Sequence, residues 1–239
     1  MRNPLGSTGF VICDDEQGRP QSVGTCFAYR EYGFLLTTAH NVKDIDPERL
    51  SVSIYLEQVE RGLDVEVIAI HPTADLAVLR IDDPFPDLRI FDYFQGVADD
   101  YDAGELVSAF GYPSQTTAVG EKPVPRFFRG NIQRLFQYDS LLGYKYIAIE
   151  LSFGSPEGLS GGPVALGRKP SHVVGIMAEN YRADTYVHSI EEVVTGEKVS
   201  RHTQHDFINY GIAVRLAEFQ EWIDARCRPK AAIKPGRRR

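Results

Sequence analysis

The sequence lacks the features that mark disulfide-rich secreted proteins and membrane-spanning proteins. It has only 3 cysteines among 239 residues, Cys13, Cys26 and Cys227, an odd and sparse set that provides no disulfide framework. No apolar run approaches the ~18 residues that a transmembrane helix needs, and the N-terminal segment 1–15 has no long apolar stretch of the signal-peptide kind. We therefore expect a cytoplasmic protein with reduced thiols and no membrane partner.

The charge balance argues against nucleic acid as the main partner. The net charge is −7, from 33 acidic residues and 26 lysines and arginines, whereas nucleic-acid-binding domains usually carry a basic surface. The C-terminal segment 229–239 is basic and poor in apolar residues, so we expect a disordered, solvated tail.

Short alternating apolar runs, separated by Gly, Pro, Asp and Ser, recur along the chain and predict an all-β fold. One helix is predicted, LAEFQEWIDARC, in which Leu216, Phe219 and Ile223 recur at the spacing of one helical face. The segment 182–209 is long for a connection inside a compact barrel, and VVTGEKV within it predicts a hairpin. The predicted strands are GFVIC, TCFAY, GFLLTTA, LSVSIYL, VEVIAI, LAVLRI, LVSAFG, RGNIQRLFQY, YKYIAIELS, GPVAL, VVGIMAE and YGIAVRL.

The most informative segment is GSPEGLSGGPV, which has Ser160 at its centre. A serine hydroxyl attacks a carbonyl only when a base takes its proton and donors stabilise the resulting oxyanion. The two glycines after Ser160 allow a tight turn and keep Cβ atoms away from a substrate. Gly158 lets its backbone N–H point into the site together with that of Ser160. The segment also matches G-x-S-x-G, the nucleophile turn of α/β-hydrolases, so the rest of the chain must decide between the two.

The order of His40, Asp75 and Ser160 along the chain decides between the two interpretations of this segment. His40 follows the strand-like run in LLTTAH, and Asp75 precedes the alternating residues of HPTADLAVLRID. His, Asp, Ser is the chymotrypsin order, whereas α/β-hydrolases have Ser, acid, His. Alone, His40 would be interpreted as a core histidine and Asp75 as a turn cap. Together with Ser160 they predict a general base and an orienting carboxylate, with His40 bonded to both Asp75 and Ser160.

These segments resemble the chymotrypsin/trypsin-like serine peptidases, in particular the HtrA-type branch that has neither zymogen nor disulfides. The resemblance covers roughly residues 22–226 and implies two six-stranded Greek-key β-barrels, with the C-terminal helix packed on the second. The expected domains are residues 1–95 and 96–228, joined near 84–105, and no PDZ-like segment follows residue 226. The segments that carry the resemblance, besides that around Ser160, are SVGTCFAYREYGFLLTTAH, LVSAFGYPSQ, HVVGIMAEN and INYGIAVRL.

The resemblance also implies the roles of individual residues. Ser160 would be the nucleophile, His40 the base and Asp75 its partner, while the N–H groups of Gly158 and Ser160 would form the oxyanion hole. Leu159 stands where digestive relatives carry an Asp that pairs with a newly cut N-terminus. Activation by that route is therefore not expected.

Substrate preference is weakly specified. By resemblance, Gly154 lies at the floor of the primary pocket, where it offers no carboxylate for an Arg or Lys, and Met177 stands where a histidine would select Glu or Gln. A small to medium apolar side chain is the default expectation, although Glu157 and Glu179 at the rim could attract a basic residue. The predicted substrate-binding residues are Gly154, Glu157, Met177, Ala178, Glu179 and Asn180.

The sequence thus predicts a serine endopeptidase that cleaves proteins or peptides through an acyl-enzyme intermediate, without metal or cofactor. Control by a regulatory protein partner or by loop ordering is expected, since an unrestrained cytoplasmic peptidase is hazardous. The alternative is a catalytically silent peptide-binding module on the same fold. In RHTQHD, His202 and His205 are interpreted as part of a solvated loop rather than a metal site on a helical turn.

Overall fold

Six strands at the beginning of the chain close into the first barrel. The computed structural model describes residues 4–30, 33–56, 59–81, 94–113, 124–193 and 199–228. The strand order is β1-β2-β3-β6-β5-β4, and pairing of β1 with β4 closes the sheet, so that no edge is left open. The strands are β1 (Thr8–Asp14), β2 (Pro20–Ala28), β3 (Phe34–Thr37), β4 (Leu50–Leu56), β5 (Val59–Ile70) and β6 (Ala77–Ile81).

A second closed barrel follows. Its order is β11-β8-β9-β10-β13-β12, and pairing of β11 with β12 closes it. The two-residue strand β7 adds to β12 in parallel. The strands are β7 (Gly96–Val97), β8 (Leu106–Gly111), β9 (Arg126–Asp139), β10 (Lys145–Leu151), β11 (Pro163–Leu166), β12 (Lys169–Val193) and β13 (Val199–Arg215). The predicted all-β fold of two six-stranded barrels is confirmed.

Apolar residues fill three connected clusters. One occupies the first barrel, with Val52 and Leu79 buried, and another occupies the second, with Ile149 and Val174 buried. The third joins residues of both barrels and of the C-terminal helix, for example Leu76, Ile212 and Ile223. Because this third cluster lies where the barrels meet, it fixes the position of the cleft between them.

The predicted C-terminal helix is present, but its α-helical part is shorter than the predicted segment LAEFQEWIDARC. A 3₁₀ turn, Leu216–Phe219, leads into α1 (Gln220–Arg226). Leu216 and Ile223 are fully buried, as the spacing of the apolar residues requires. Within the described ranges, no helix is both long and apolar enough to cross a membrane.

In the segment 182–209, RHTQHD differs from the expected solvated loop. Strands β12 and β13 stay paired from Gly175 and Arg215 out to Val193 and Val199, so the segment prolongs two barrel strands. RHTQHD lies in β13, and the helical turn considered for it does not occur. Residues 194–198 of VVTGEKV lie outside the described residues, as do residues 84–93 of the expected linker and the tail 229–239.

Candidate active site

His40 and Asp75 come together from two turns of the first barrel. His40 lies in the 3₁₀ turn Ala39–Asn41 that follows β3, and Asp75 lies in the turn before β6. Asp75 Oδ2 is 2.6 Å from His40 Nδ1, and Oδ1 accepts the His40 backbone N–H at 3.0 Å. The Asp75 side chain is fully buried, whereas a quarter of the His40 side chain (25%) is exposed. This pairing commits Nδ1 to the carboxylate and leaves Nε2 for chemistry.

The loop that carries Ser160 belongs to the second barrel but is held by the first. The Ser160 carbonyl accepts the Thr25 N–H at 2.8 Å and the Asn41 side-chain amide at 2.9 Å. Thr25 Oγ1 donates to the Gly158 carbonyl at 2.8 Å. Gly161 has φ +89°, and a Cβ there would lie 1.9 Å from the Thr25 carbonyl oxygen, so the close approach of the barrels requires glycine.

Gly158 shapes a turn with two backbone donors that have no acceptor. The Leu159 N–H donates to the Pro156 carbonyl at 3.0 Å, and Gly158 has φ +86°, the conformation required at the third position of a type II turn. Among the hydrogen bonds of the described residues, none uses the N–H of Gly158 or Ser160 as donor. These two groups are available to an oxyanion, as an oxyanion hole requires.

The Ser160 hydroxyl departs from expectation. Its Oγ donates to the Ala178 carbonyl at 2.8 Å, and no hydrogen bond of the described residues joins it to His40. Ala178 is the extra residue of a β-bulge, since Met177 pairs with Ala213 and Glu179 with Ile212. A bulged residue takes no part in the ladder, so its carbonyl is open to the serine. A sequence pattern does not specify this side-chain orientation.

Polar side chains line the predicted primary pocket. The Ser155 N–H donates to Asn180 Oδ1 at 3.1 Å. A Cβ on Gly154 would lie 3.1 Å from both Asn180 Oδ1 and Asn209 Cβ, so these two asparagines narrow the space there. Met177 is fully buried in the second-barrel core and is therefore not a surface of the cleft.

On the opposite side of the cleft strand, Glu179 lies among tyrosines. Tyr138 donates its hydroxyl to Glu179 Oε2 at 3.0 Å. Burial, reinforced by the charge of Glu179 and this hydrogen bond, raises the pKa of Tyr138 to about 12. Tyr146 is 3% exposed, and its pKa is raised by burial and then by the carboxylates of Glu179 and Asp75. The second predicted rim carboxylate, Glu157, is exposed.

Sequence analysis missed the residue that supports the Asp75 turn. His71 Nδ1 accepts the backbone N–H of Ala74 at 3.0 Å and that of Thr73 at 3.3 Å. Its ring contacts Trp222 of α1, with centroids 4.9 Å apart. Burial, and then the charge of Arg226, lowers the pKa of His71. Thr25, Asn41, Tyr138 and Tyr146 were also missed, because nothing in their local sequence distinguishes them from ordinary barrel residues.

The described residues contain no group of three or more His, Cys, Asp or Glu side chains that could hold a metal ion. The three cysteines, all in described parts of the chain, form no disulfide. Cys26 is fully buried, and burial raises the pKa of its thiol to about 12, which makes it a small core residue rather than a second nucleophile.

The sequence matches the family model described as "Trypsin-like peptidase domain" over residues 24–176, more than half of the chain. The chain belongs to the trypsin-like peptidase family. This peptidase is a hydrolase of the serine peptidase class, whose substrates are proteins or peptides. No curated protein matches its sequence significantly.

Solved structures show the same fold at low sequence identity. The active form of the Rv3671c protease from M. tuberculosis superposes with a TM-score of 0.64 at 14% identity, covering 95% of this chain and 83% of that one. The MamO protease domain from Magnetospirillum magneticum gives 0.62 at 18% identity, covering 95% and 99%. The HtrA-type protease AlgW, solved with a decapeptide, gives 0.62 at 17% identity, covering 92% of this chain and 64% of AlgW. The fold of this peptidase is thus that of HtrA-type proteases.

Proposed function

We propose that the chain is an endopeptidase in which Ser160, His40 and Asp75 form the catalytic triad. Ser160 Oγ attacks the carbonyl carbon of the scissile peptide bond while His40 Nε2 takes the hydroxyl proton. The N–H groups of Gly158 and Ser160 bind the negative oxygen that forms. The tetrahedral intermediate then expels the amine, which takes the proton from His40, and an acyl ester remains on Ser160. Water, activated by His40, hydrolyses this ester and restores the serine.

The observation that carries the proposal is the pairing of a fully buried Asp75 with both the ring and the backbone of His40. A buried carboxylate is costly unless it is paired or hydrogen-bonded, and here both of its oxygens are used on the same residue. Such a carboxylate fixes the imidazole orientation and stabilises the imidazolium that forms during attack. The two available N–H groups beside Ser160 supply the second requirement of acyl transfer.

We also infer that the site rests in a latent form. Ser160 Oγ is bonded to the bulged carbonyl of Ala178 rather than to His40. An extended substrate that lies along this strand would donate a backbone N–H to the same carbonyl. It would thereby displace the serine hydroxyl toward His40. Substrate, or a protein partner acting near the β12–β13 extension, would shift the population toward the productive arrangement.

The primary pocket favours a small side chain. Asn180 and Asn209 approach the position of Gly154 from two sides, and Gly154 itself brings no charged group to the predicted pocket floor. We propose that the residue whose carbonyl is attacked is small, because a long side chain would have to displace the asparagines.

A second candidate is a peptide-binding module that does not turn over its ligand. The Ser160–Ala178 hydrogen bond favours it, since the hydroxyl there lacks its base. One experiment separates the two candidates. A fluorogenic peptide library is incubated with the full chain, with Ser160→Ala and with His40→Ala. Ser22→Ala is the matched control, because the buried Ser22 hydroxyl has no hydrogen-bond partner.

If the proposal is right, the full chain and the Ser22→Ala control hydrolyse the same peptides, and each triad substitution lowers kcat/KM by at least about 10³-fold. Binding of peptides by all four proteins with no hydrolysis by any of them would establish the silent module instead.

A further inference from the structure

Glu179 follows Ala178 on the cleft strand and takes part in no salt bridge among the described residues. Oε2 accepts the Tyr138 hydroxyl, but Oε1 is buried and has no hydrogen-bond partner. Arg134, on the same strand as Tyr138, stacks 4.4 Å from the Phe136 ring centroid and is bonded to Glu150 at 2.8 Å, so its charge is already paired. A buried, half-satisfied carboxylate of this kind is destabilising unless a donor completes it.

A second polar group in the same cluster is also unsatisfied. The Tyr146 hydroxyl is buried and has no hydrogen-bond partner, although Tyr146 itself is packed at 3% exposure. The ring centroids of Tyr138 and Tyr146 are 5.7 Å apart. The cluster therefore combines aromatic faces with an unsatisfied carboxylate oxygen and an unsatisfied phenol, a combination that suits a cationic side chain through charge and cation–π contacts.

Strand alternation decides which substrate side chains can reach this cluster. Asn180 bonds to Ser155 at the primary pocket, whereas Glu179, the preceding residue of the strand, bonds to Tyr138 on the other side. Side chains of an extended peptide paired with this strand also alternate. Residues one and three positions before the cleaved residue lie on the face turned away from the primary pocket, which is the face of Glu179.

We propose that Glu179, with Tyr138 and Tyr146, forms a subsite that selects a basic side chain on this substrate face, one or three positions before the cleaved residue. The inference rests on the proposed endopeptidase function. Oε1 is already shielded from water, whereas the Glu179 side chain as a whole is only partly buried. A substrate Arg or Lys that reaches it would therefore complete the carboxylate, and a neutral side chain would leave the oxygen unsatisfied. The discrimination comes as much from this penalty as from the attraction.

The test uses pairs of peptides in which one member carries arginine and the other carries citrulline, a neutral analogue of the same shape. The pair is placed in turn at each of the four positions before the scissile bond. Hydrolysis is measured with the full chain, with Glu179→Gln and with Glu48→Gln. Glu48 is exposed, and its carboxylate has no hydrogen bond or salt bridge among the described residues, where only its backbone N–H is bonded, to Asp46. Its substitution therefore makes the same change in charge elsewhere. Binding of the same peptides to Ser160→Ala, and to Ser160→Ala combined with Glu179→Gln, is followed by fluorescence anisotropy.

The subsite predicts that arginine raises kcat/KM by about ten- to a hundredfold over citrulline at the position one or three before the cleaved residue. Glu179→Gln abolishes this preference and Glu48→Gln leaves it unchanged. No preference, a preference confined to the cleaved residue itself, or a preference that survives Glu179→Gln would overturn the subsite while leaving the peptidase intact. Arginine-selective binding to Ser160→Ala that needs Glu179, in a chain with no hydrolysis, would instead support the subsite and refute the endopeptidase.

Discussion

Removing the Thr25 hydroxyl should both destabilise the protein and weaken catalysis, because this one group joins the first barrel to the loop of the nucleophile. Thr25 is fully buried. Its Oγ1 donates to the Gly158 carbonyl at 2.8 Å and accepts the Tyr112 backbone N–H at 3.0 Å. In Thr25→Val the shape is kept but both hydrogen bonds are lost. A buried group that loses its hydrogen-bond partner costs about 1–3 kcal/mol, so the free energy of unfolding should fall by about 2–6 kcal/mol.

The effect on activity follows from the freedom gained by Gly158. Loss of a whole oxyanion donor lowers kcat by about 10²–10³-fold, so a displaced but present Gly158 N–H should cost less, about tenfold. Urea unfolding and peptide hydrolysis measure the two effects. Thr25→Ser is the matched control, since it keeps the hydroxyl and removes one methyl, at about 1 kcal/mol. If Thr25→Val unfolds at the wild-type urea concentration and cleaves peptides at the wild-type rate, the clamp between the barrels has no functional role.

Two further outcomes are expected. His71 has a lowered pKa, so the unfolded chain binds its proton more readily than the folded one. The free energy of unfolding should therefore decline as pH falls below about 6.5. The decline should be less steep in His71→Asn, which keeps an acceptor for the turn. If urea unfolding at several pH values gives the two proteins the same pH dependence, His71 is not the group responsible. Gly161→Ala should cost about 3 kcal/mol or more because its Cβ meets the Thr25 carbonyl, whereas Gly18→Ala, with φ +71° and open space, should cost about 1 kcal/mol; similar costs would refute the steric argument.

The architecture could be predicted because most strands carry their own alternation between turn residues. LSVSIYL, for example, became β4 with the same bounds. The approach of His40 to Asp75 follows from motifs that sit at the ends of predicted strands. The orientation of the Ser160 hydroxyl could not be predicted, because it depends on a β-bulge at Ala178 in a strand pair that forms only in the folded barrel. The unsatisfied oxygen of Glu179 depends likewise on Tyr138 and Tyr146, which lie more than thirty positions away in the chain.

The extension of β12 and β13 shows a different limit. Residues 182–209 have the length and polarity of a surface loop, but the ladder from Gly175 and Arg215 runs on through them to Val193 and Val199. Where two strands stop pairing depends on both strands. The alternation within one strand therefore does not indicate where the ladder ends.

The central claim is that Ser160 is a nucleophile activated by His40. The most direct test is to react the full chain with a fluorophosphonate probe and to locate the adduct by mass spectrometry of the digested protein. The account predicts a single adduct on Ser160, none on Ser160→Ala, and labelling slowed by at least about 10³-fold in His40→Ala. Equal labelling of the full chain and of His40→Ala, or an adduct on another residue, would contradict it.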